Sequence, residues 1–293
     1  MPRMDEVEFL KRLMPQYPLP VVMVSALTRE GAKTTLEALE AGAVDFVTKP
    51  SSDIARGLGS MMNSLRQKVK TAATANLQEW KEKKPAASSI LQQVSGAALS
   101  ESTDKVIAIG ASTGGTRAIR QIIQSFPVTM PGVVMVQHMP AGFTRHFAHS
   151  LNGICAMEVL EASNHDRVMP GRILIAPGGM HMTVRRSGGV YLVECTEGEK
   201  VNGHCPSVDV LFHSVARQAG SNAIGVVLTD MGQDGAEGLL AMRREGARTL
   251  AQDEASSIVF GMPRVAYERG GAESLHPLNA IPQVIINLLQ PKR

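Results

Sequence analysis

The sequence has few aromatic residues and few cysteines. Its 293 residues include 7 Phe, 3 Tyr and 1 Trp, so we do not expect a stacking platform for single-stranded nucleic acid, which needs exposed aromatic rings. The three cysteines form no CxxC pair. This argues against a disulfide framework and predicts a reducing, cytoplasmic location. With so few aromatics, small aliphatic residues must fill the core, as they do in parallel β-sheets.

Neither one sign of charge nor a long apolar run dominates the chain. Lys and Arg number 30 against 27 Asp and Glu, a formal net charge of +3, which indicates no nucleic-acid partner. No apolar run approaches the roughly 20 residues of a membrane-spanning helix, and the amino-terminal residues lack a signal-peptide core. We therefore expect no membrane insertion. The hydrophobic share of 44 % and the charged share of 19 % are typical of a globular chain of about two domains.

The chain divides into three segments. Residues 1–75 alternate helix and strand, residues 76–104 are rich in Ala, Ser, Lys and Pro and predict a linker, and residues 105–293 alternate strand and helix again. The expected strands are residues 19–26, 43–50, 106–110, 132–137, 172–176, 223–228 and 249–251. The expected helices are residues 6–14, 28–41, 58–72, 116–125, 207–219, 235–245 and 259–269. Parallel strands joined by helices predict an α/β fold with a doubly wound, mostly parallel sheet, whose ligands lie at the carboxyl ends of the strands. Residues 182–194 alternate around a Ser-Gly-Gly turn and predict a β-hairpin.

A serine lies at the first strand-to-helix turn of the third segment. The stretch VIAIG-ASTGG-TRAIRQII contains G-x-S-x-G, a pattern that exposes the hydroxyl of Ser112 above a helix N-terminus. Two other roles stay open for this turn. Ser112 could cap the helix, or the glycines could cradle a dinucleotide. Their spacing does not fit G-x-G-x-x-G, and the next strand ends in His138 rather than in an acid.

His138 and Asp234 are candidate partners for Ser112. His138 ends the second strand of this segment, and Asp234 lies in the loop after the strand at residues 223–228. Such a constellation would let Ser112 attack a carbonyl, with His138 as base and Asp234 holding the imidazole. Simpler roles also remain: a chance histidine at a strand end, and an N-cap aspartate before the next helix. His146 and His149 are read as surface residues and not as a metal pair, since no third ligand follows at motif spacing.

Six segments of residues 105–289 follow one another in a distinctive order. They are IGASTGGTRAI, QHMPAGFTRHFA, ILIAPGGMHM, PSVDVLFHSVA, VVLTDMGQDGAEG and AQDEASSIVFGMPR. This succession resembles the chemotaxis protein-glutamate methylesterases, the CheB family. The resemblance implies hydrolysis of glutamyl methyl esters on the cytoplasmic helices of methyl-accepting chemotaxis receptors, with release of methanol. It also implies that some members deamidate receptor glutamines. No cofactor and no metal is implied.

The resemblance also assigns residues. It implies Ser112, His138 and Asp234 as the catalytic triad, and backbone amides near Thr113 and at Met231 as the oxyanion hole. The first segment resembles the second half of a flavodoxin-like receiver domain of response regulators. There Ser25 falls on the switch hydroxyl and Lys49 on the phosphate-binding lysine.

The sequence departs from the family pattern at three places. Met1 starts inside the receiver motif, so we expect a partial receiver without a phosphoacceptor, and a misassigned start is the preferred explanation. A chemotaxis histidine kinase would be a partner only of a full receiver. Asp230 stands where the family usually has glycine, where it could strain the loop, compete for His138 or be solvated. Cys205 stands where an arginine is common, and this loss could weaken docking of the receptor.

Three alternative functions differ in class. A catalytically impaired receptor-binding remnant is favoured by Asp230 and by the partial receiver, but the intact triad argues against it. A nucleotide-dependent oxidoreductase predicts stabilisation by NAD. A DNA-binding response regulator needs a basic recognition helix after the linker, and the sequence offers none.

Overall fold

The structure is a computed structural model of the chain and describes residues 4–26, 28–50, 54–77 and 104–290. It contains two compact units, Met1–Ser89 and Ile90–Arg293. The expected linker at residues 76–104 lies mostly outside the described residues. None of the helices in the described ranges is long and apolar enough to cross a membrane.

The first unit alternates helices and parallel strands. Its described elements are α1 (Glu6–Gln16), β1 (Val22–Ser25), α2 (Arg29–Glu40), β2 (Asp45–Thr48) and α3 (Ile54–Ala73). Asp5 and Thr28 cap the first two helices, because their side chains accept the amide hydrogens of Glu8 and Gly31. β1 and β2 pair in parallel. All five elements expected in this segment are present, with shifted ends.

The second unit is built on a seven-stranded parallel sheet in the order β12-β11-β10-β3-β4-β7-β5. Its strands are β3 (Val106–Ala111), β4 (Gly132–Gln137), β5 (Glu158–Glu161), β7 (Arg172–Ile175), β10 (Ala223–Val227), β11 (Arg248–Gln252) and β12 (Ser274–His276). The helices are α4 (Gly115–Ile123), α5 (Phe143–Asn152), α6 (Val208–Ala219), α7 (Ala236–Arg244), α8 (Met262–Glu268) and α9 (Ile281–Leu289). The doubly wound parallel sheet predicted from the sequence is confirmed.

A smaller antiparallel sheet contains the predicted hairpin. Its strands are β6 (Arg167–Val168), β8 (His181–Ser187) and β9 (Val190–Thr196), in the order β6-β9-β8. Ser214 of α6 accepts the Val184 amide hydrogen at 2.8 Å and so joins this sheet to α6. The hairpin turn falls at Gly188 and Gly189, both with positive φ, as the Ser-Gly-Gly turn predicts.

Strand β3 lies at the switch point of the large sheet. β4 pairs with one edge of β3 and β10 with the other, so three loops leave the same sheet edge side by side, where open α/β sheets bind ligands. All residues of β3 and β4 are buried. Each large aliphatic side chain buried in this way contributes roughly 1.5–3 kcal/mol. The three loops at this sheet edge therefore stand on fully buried strands.

Candidate active site

Ser112 lies on a tight turn between β3 and α4. Gly114 adopts φ 77°, a left-handed conformation that glycine enters without strain, and α4 begins at the next residue. The Ser112 carbonyl accepts hydrogen bonds from the Gly115 amide at 2.7 Å and from Gln137 Nε2 at 2.8 Å. The side chain is partly exposed. The N-cap of α4 is Gly114 and makes no side-chain capping bond, so Ser112 does not cap this helix.

His138 follows β4, directly beside the serine turn. β3 and β4 pair Ala111 with Gln137, and the His138 amide donates to the Ala111 carbonyl at 3.1 Å. Ser112 and His138 therefore leave adjacent strands at the same level. The side chain of His138 is 5 % exposed, and Nε2 lies 2.8 Å from Asp234 Oδ2. When Nε2–H donates to this carboxylate, the lone pair of the neutral imidazole is on Nδ1. Nδ1 is buried and has no hydrogen-bond partner among the described residues.

The imidazole of His204 stacks on that of His138. The ring centroids are 3.6 Å apart and the planes differ by 5°. Val201 and His204 exchange two backbone hydrogen bonds, which hold this loop in place. His204 therefore limits rotation of His138 from the side. Cys205, the residue after it, is partly buried.

Asp234 is bound by donors from several elements. Oδ1 accepts from Ser207 Oγ (2.8 Å), Asn202 Nδ2 (3.0 Å) and the Asp209 amide (3.2 Å), and Oδ2 accepts from the Val208 amide (2.7 Å) and His138 Nε2 (2.8 Å). Three of these donors lie at the N-terminus of α6, whose dipole favours a negative charge. The helix after Asp234 has Gly235 as its N-cap, without a side-chain bond. Asp234 therefore binds the N-terminus of a helix distant in sequence and does not cap the helix that follows it.

These contacts keep the Asp234 carboxylate ionised. Burial alone would raise its pKa, but the hydrogen bond and the charge of His138, with Asn202 and the Val208 amide, hold that pKa well below its usual range. A carboxylate that is held charged next to an imidazole fixes the ring orientation and stabilises the imidazolium.

A second buried carboxylate, Asp209, supports this arrangement. Asn202 Nδ2 donates to Asp209 at 2.7 Å as well as to Asp234, and the Gly238 amide donates to Asp209 at 2.7 Å. Burial raises the pKa of Asp209, and the charge of Asp234 adds to this effect. Sequence reasoning did not identify Asn202, His204, Ser207 or Asp209 as site residues. These residues lie between the hairpin and the first turn of α6. Only the fold brings them beside His138 and Asp234, so no local pattern marks them.

Asp230 is buried beside the serine turn. Asp230 is 4 % exposed, so the expectation that its carboxylate could be solvated is wrong. Its Oδ1 accepts the Thr113 amide hydrogen at 3.1 Å. Burial raises the pKa of Asp230, against the opposing effects of His138 and of hydrogen bonds from Thr113 and the Met231 amide. The Thr113 amide, one of the two expected in the oxyanion hole, is therefore directed to this carboxyl group.

The two residues expected in the receiver segment lie together at one sheet edge of the first unit. Ser25 ends β1, and the Lys49 amide donates to the Ser25 carbonyl at 2.7 Å. Ser25 Oγ donates to the Gly31 carbonyl at 3.1 Å and accepts from Thr35 Oγ1 at 2.6 Å. Lys49 is exposed. In the parts of the chain that the structure describes, no group of three or more His, Cys, Asp and Glu could hold a metal ion.

Known proteins are similar to this chain over all of its length. A family profile described as CheB methylesterase matches residues 107–285. A protein-glutamate methylesterase/protein-glutamine glutaminase of Syntrophotalea carbinolica is 65 % identical over all of this chain and 83 % of its own length. A protein of the same name from Sulfurimonas denitrificans is 53 % identical over all of this chain and 84 % of its own length. The crystal structure of the Thermotoga maritima CheB methylesterase catalytic domain is 36 % identical, with a TM-score of 0.61. The match covers 63 % of this chain and 98 % of the Thermotoga maritima chain.

Proposed function

Because the chain belongs to the CheB methylesterase family, we propose that it hydrolyses glutamyl methyl esters of chemotaxis receptors with Ser112 as the nucleophile. The family makes it a carboxylic ester hydrolase of chemosensory adaptation. The relatives' double name adds deamidation of protein glutamines. The observation that carries the proposal is the buried His138, which has one ring nitrogen on Asp234 and the other without a partner in the described residues, beside the serine turn.

The first half of the reaction forms an acyl-enzyme. Ser112 Oγ attacks the carbonyl carbon of the ester and gives its proton to His138 Nδ1, while the carbonyl oxygen becomes an oxyanion. The tetrahedral intermediate collapses as the bond to the methoxy group breaks. The proton on Nδ1 passes to that oxygen, and methanol leaves.

The second half repeats these proton transfers with water. Nδ1 takes a proton from the attacking water, the acyl bond to Ser112 breaks, and the proton returns to Oγ. A glutamate carboxylate is released. With a glutamine side chain the same steps release ammonia. The scheme consumes only the substrate and water.

The roles of the ring nitrogens differ from the usual serine-hydrolase assignment. In the usual triad Nδ1 binds the aspartate and Nε2 faces the serine. Here Nε2 binds Asp234, which leaves Nδ1 as the base. Asp234 holds the ring in that orientation and balances the positive charge that the ring gains during the reaction. The amides of Thr113 and Met231 are the donors proposed for the oxyanion.

The partners follow from the substrate class. We propose the cytoplasmic helices of methyl-accepting chemotaxis receptors as substrates, and thus the cytoplasm as the place of reaction. We also propose that residues 1–75 are part of a receiver domain, with Ser25 and Lys49 at its switch edge. This is supported by the two parallel strands and by the contact between these residues. A chemotaxis histidine kinase is the proposed partner of a complete receiver.

The test is methanol release from methylated receptor membranes. We expect the chain to release methanol. Ser112→Ala should lower the rate of release by a factor of about 10⁴ or more. Ser125→Ala, which changes an exposed serine just after α4, is the matched control and should match the wild type. Equal rates for Ser112→Ala and the wild type would refute the assignment of the nucleophile. Receptor binding without release by any form would support the impaired remnant.

A further inference from the structure

A carboxylate lies where the proposed reaction develops negative charge. Asp230 Oδ1 is 3.1 Å from the Thr113 amide nitrogen, and Thr113 directly follows the proposed nucleophile. In serine hydrolases the amide of this turn binds the oxyanion, at about 2.7–3.1 Å from it. Hydrogen bonds from the Met231 amide and the Thr113 hydroxyl also oppose the rise in the pKa of this carboxyl group that burial causes. The Asp230 carboxyl group thus occupies a donor that the reacting oxygen needs.

The backbone around Asp230 is held on both sides. The Asp230 amide donates to the Val259 carbonyl at 3.1 Å, and the Asp230 carbonyl accepts from the Gly261 amide at 2.8 Å and the Met262 amide at 2.9 Å. These bonds fix the main chain, so the side chain must move if the carboxylate is to leave the amides.

The serine turn is held against the same loop. The Ser112 amide donates to the Thr229 carbonyl at 3.2 Å, and Thr229 Oγ1 donates to the Thr113 carbonyl at 3.0 Å. Because both the turn and the loop are anchored, the Thr113 amide cannot turn towards another acceptor by a shift of the turn alone. The position of the Asp230 side chain therefore determines which acceptor the Thr113 amide binds.

From this geometry we infer that Asp230 is an internal competitor of the substrate. The ester carbonyl oxygen must displace the Asp230 carboxylate from the oxyanion donors, and this displacement slows the reaction. The inference rests on the proposed function. It predicts that this chain turns over its substrate more slowly than its triad would allow. Two like charges cannot share one set of donors, so the competition is strongest as the oxyanion forms. The effect therefore falls mainly on kcat and less on KM.

Two substitutions distinguish the effect of the Asp230 side chain from the effect of its charge. Asp230→Ala frees the amides. The backbone at Asp230 tolerates alanine, because Asp230 does not have a positive φ: the non-glycine residues of the described chain that do are His165 and Asn202. Asp230→Asn keeps an oxygen that can accept the Thr113 hydrogen bond but removes the charge. Glu254→Ala removes an exposed carboxylate from the turn after β11 and is the matched control.

The experiment measures kcat and KM for methanol release and the amide ¹H shift of Thr113 by NMR. Removing one oxyanion donor costs other enzymes about 10²–10³ in kcat, so freeing a blocked donor in Asp230→Ala should raise kcat about 10-fold or more. Asp230→Asn should raise it less, and Glu254→Ala should not change it. The Thr113 amide proton should move upfield in Asp230→Ala, since a carboxylate no longer accepts it.

Two results would overturn the inference. One is an unchanged or lower kcat in a folded Asp230→Ala protein whose Thr113 amide shift has moved. The other is a Thr113 shift that is the same in the wild type and in Asp230→Ala. The amide shift needs no substrate. A failure of the proposed function, seen as equal methanol release by the wild type and Ser112→Ala, is thus distinguished from a failure of this inference.

Discussion

Gly110 of β3 packs directly against the side chain of Val208 in the first turn of α6. A Cβ on Gly110 would overlap the Val208 side chain, so the strand and the helix are in close backbone approach. The Val208 amide donates to Asp234 at 2.7 Å. The glycine therefore determines how near the α6 N-terminus comes to the triad.

The first prediction concerns this contact. Gly110→Ala should push Val208 away and so lower both stability and turnover. Overpacking of this kind typically costs about 1–3 kcal/mol. Urea unfolding and methanol release measure the two effects. Gly153→Ala is the control, because a Cβ there would meet only the Ser150 carbonyl oxygen, at 3.6 Å. An unchanged unfolding free energy in Gly110→Ala would show that the helix yields without cost.

The second prediction concerns the charge on Asp234. Asp234→Asn should lower kcat by about 10⁴, the size of effect known when a triad aspartate becomes an amide. The asparagine amide group would also face donors from the α6 N-terminus, so the protein should lose stability. Asp166→Asn is the control, since Asp166 also accepts a backbone amide, that of Ser163, outside the site. Retention of more than a tenth of wild-type kcat by Asp234→Asn would contradict the role of Asp234.

The third prediction concerns the stacked imidazoles. Stacked aromatic pairs contribute about 0.5–1.5 kcal/mol beyond their buried area. If this contribution holds His138 in its reactive orientation, His204→Ala should lower kcat about 3- to 10-fold, and His204→Phe should restore most of it. KM should change little, because the effect passes through His138. His149→Ala, at an exposed position on α5, should have no effect. A rise in KM at constant kcat would instead place His204 in substrate binding.

The fourth prediction concerns pH and Asp230. Burial raises the pKa of this carboxyl, and His138 is the charged group whose effect opposes the shift. A carboxyl whose folded pKa exceeds its unfolded value, about 3.9, costs stability while it is ionised and stops doing so once it is protonated. Asp230→Asn should therefore be more stable than the wild type at pH 8. The difference should shrink as the pH falls towards 4.

Thermal unfolding of both proteins between pH 8 and pH 4 measures this difference. Glu254→Gln, at an exposed carboxylate, should show no such trend. A wild type that is more stable than Asp230→Asn at pH 8 would mean that the hydrogen bonds to the ionised carboxylate outweigh its burial.

Local patterns predicted the candidate site only in part. The strand-turn-helix stretch around Ser112 was sufficient to place its hydroxyl at the edge of the sheet, because β3 and α4 follow from neighbouring residues. His138 could be identified because an apolar strand ends there. For Asp234 the sequence left two roles open, a cap for the next helix or a triad carboxylate. The choice depends on donors such as the Val208 amide, which come from another part of the chain.

The sequence by itself determined most of the strands and helices, the family resemblance and the three triad candidates, because apolar periodicity and turn residues act over a few neighbours. The short strands β5, β6 and β12 were not predicted. Only the tertiary structure decided that Nε2 of His138 binds Asp234, that His204 stacks on the imidazole, and that Asp230 is buried on the Thr113 amide. These relationships join residues that the parallel sheet brings together from distant segments. For Asp234 and Asp230 the physical cause is that donors from several elements converge on a few buried carboxyl oxygens, which no local pattern records.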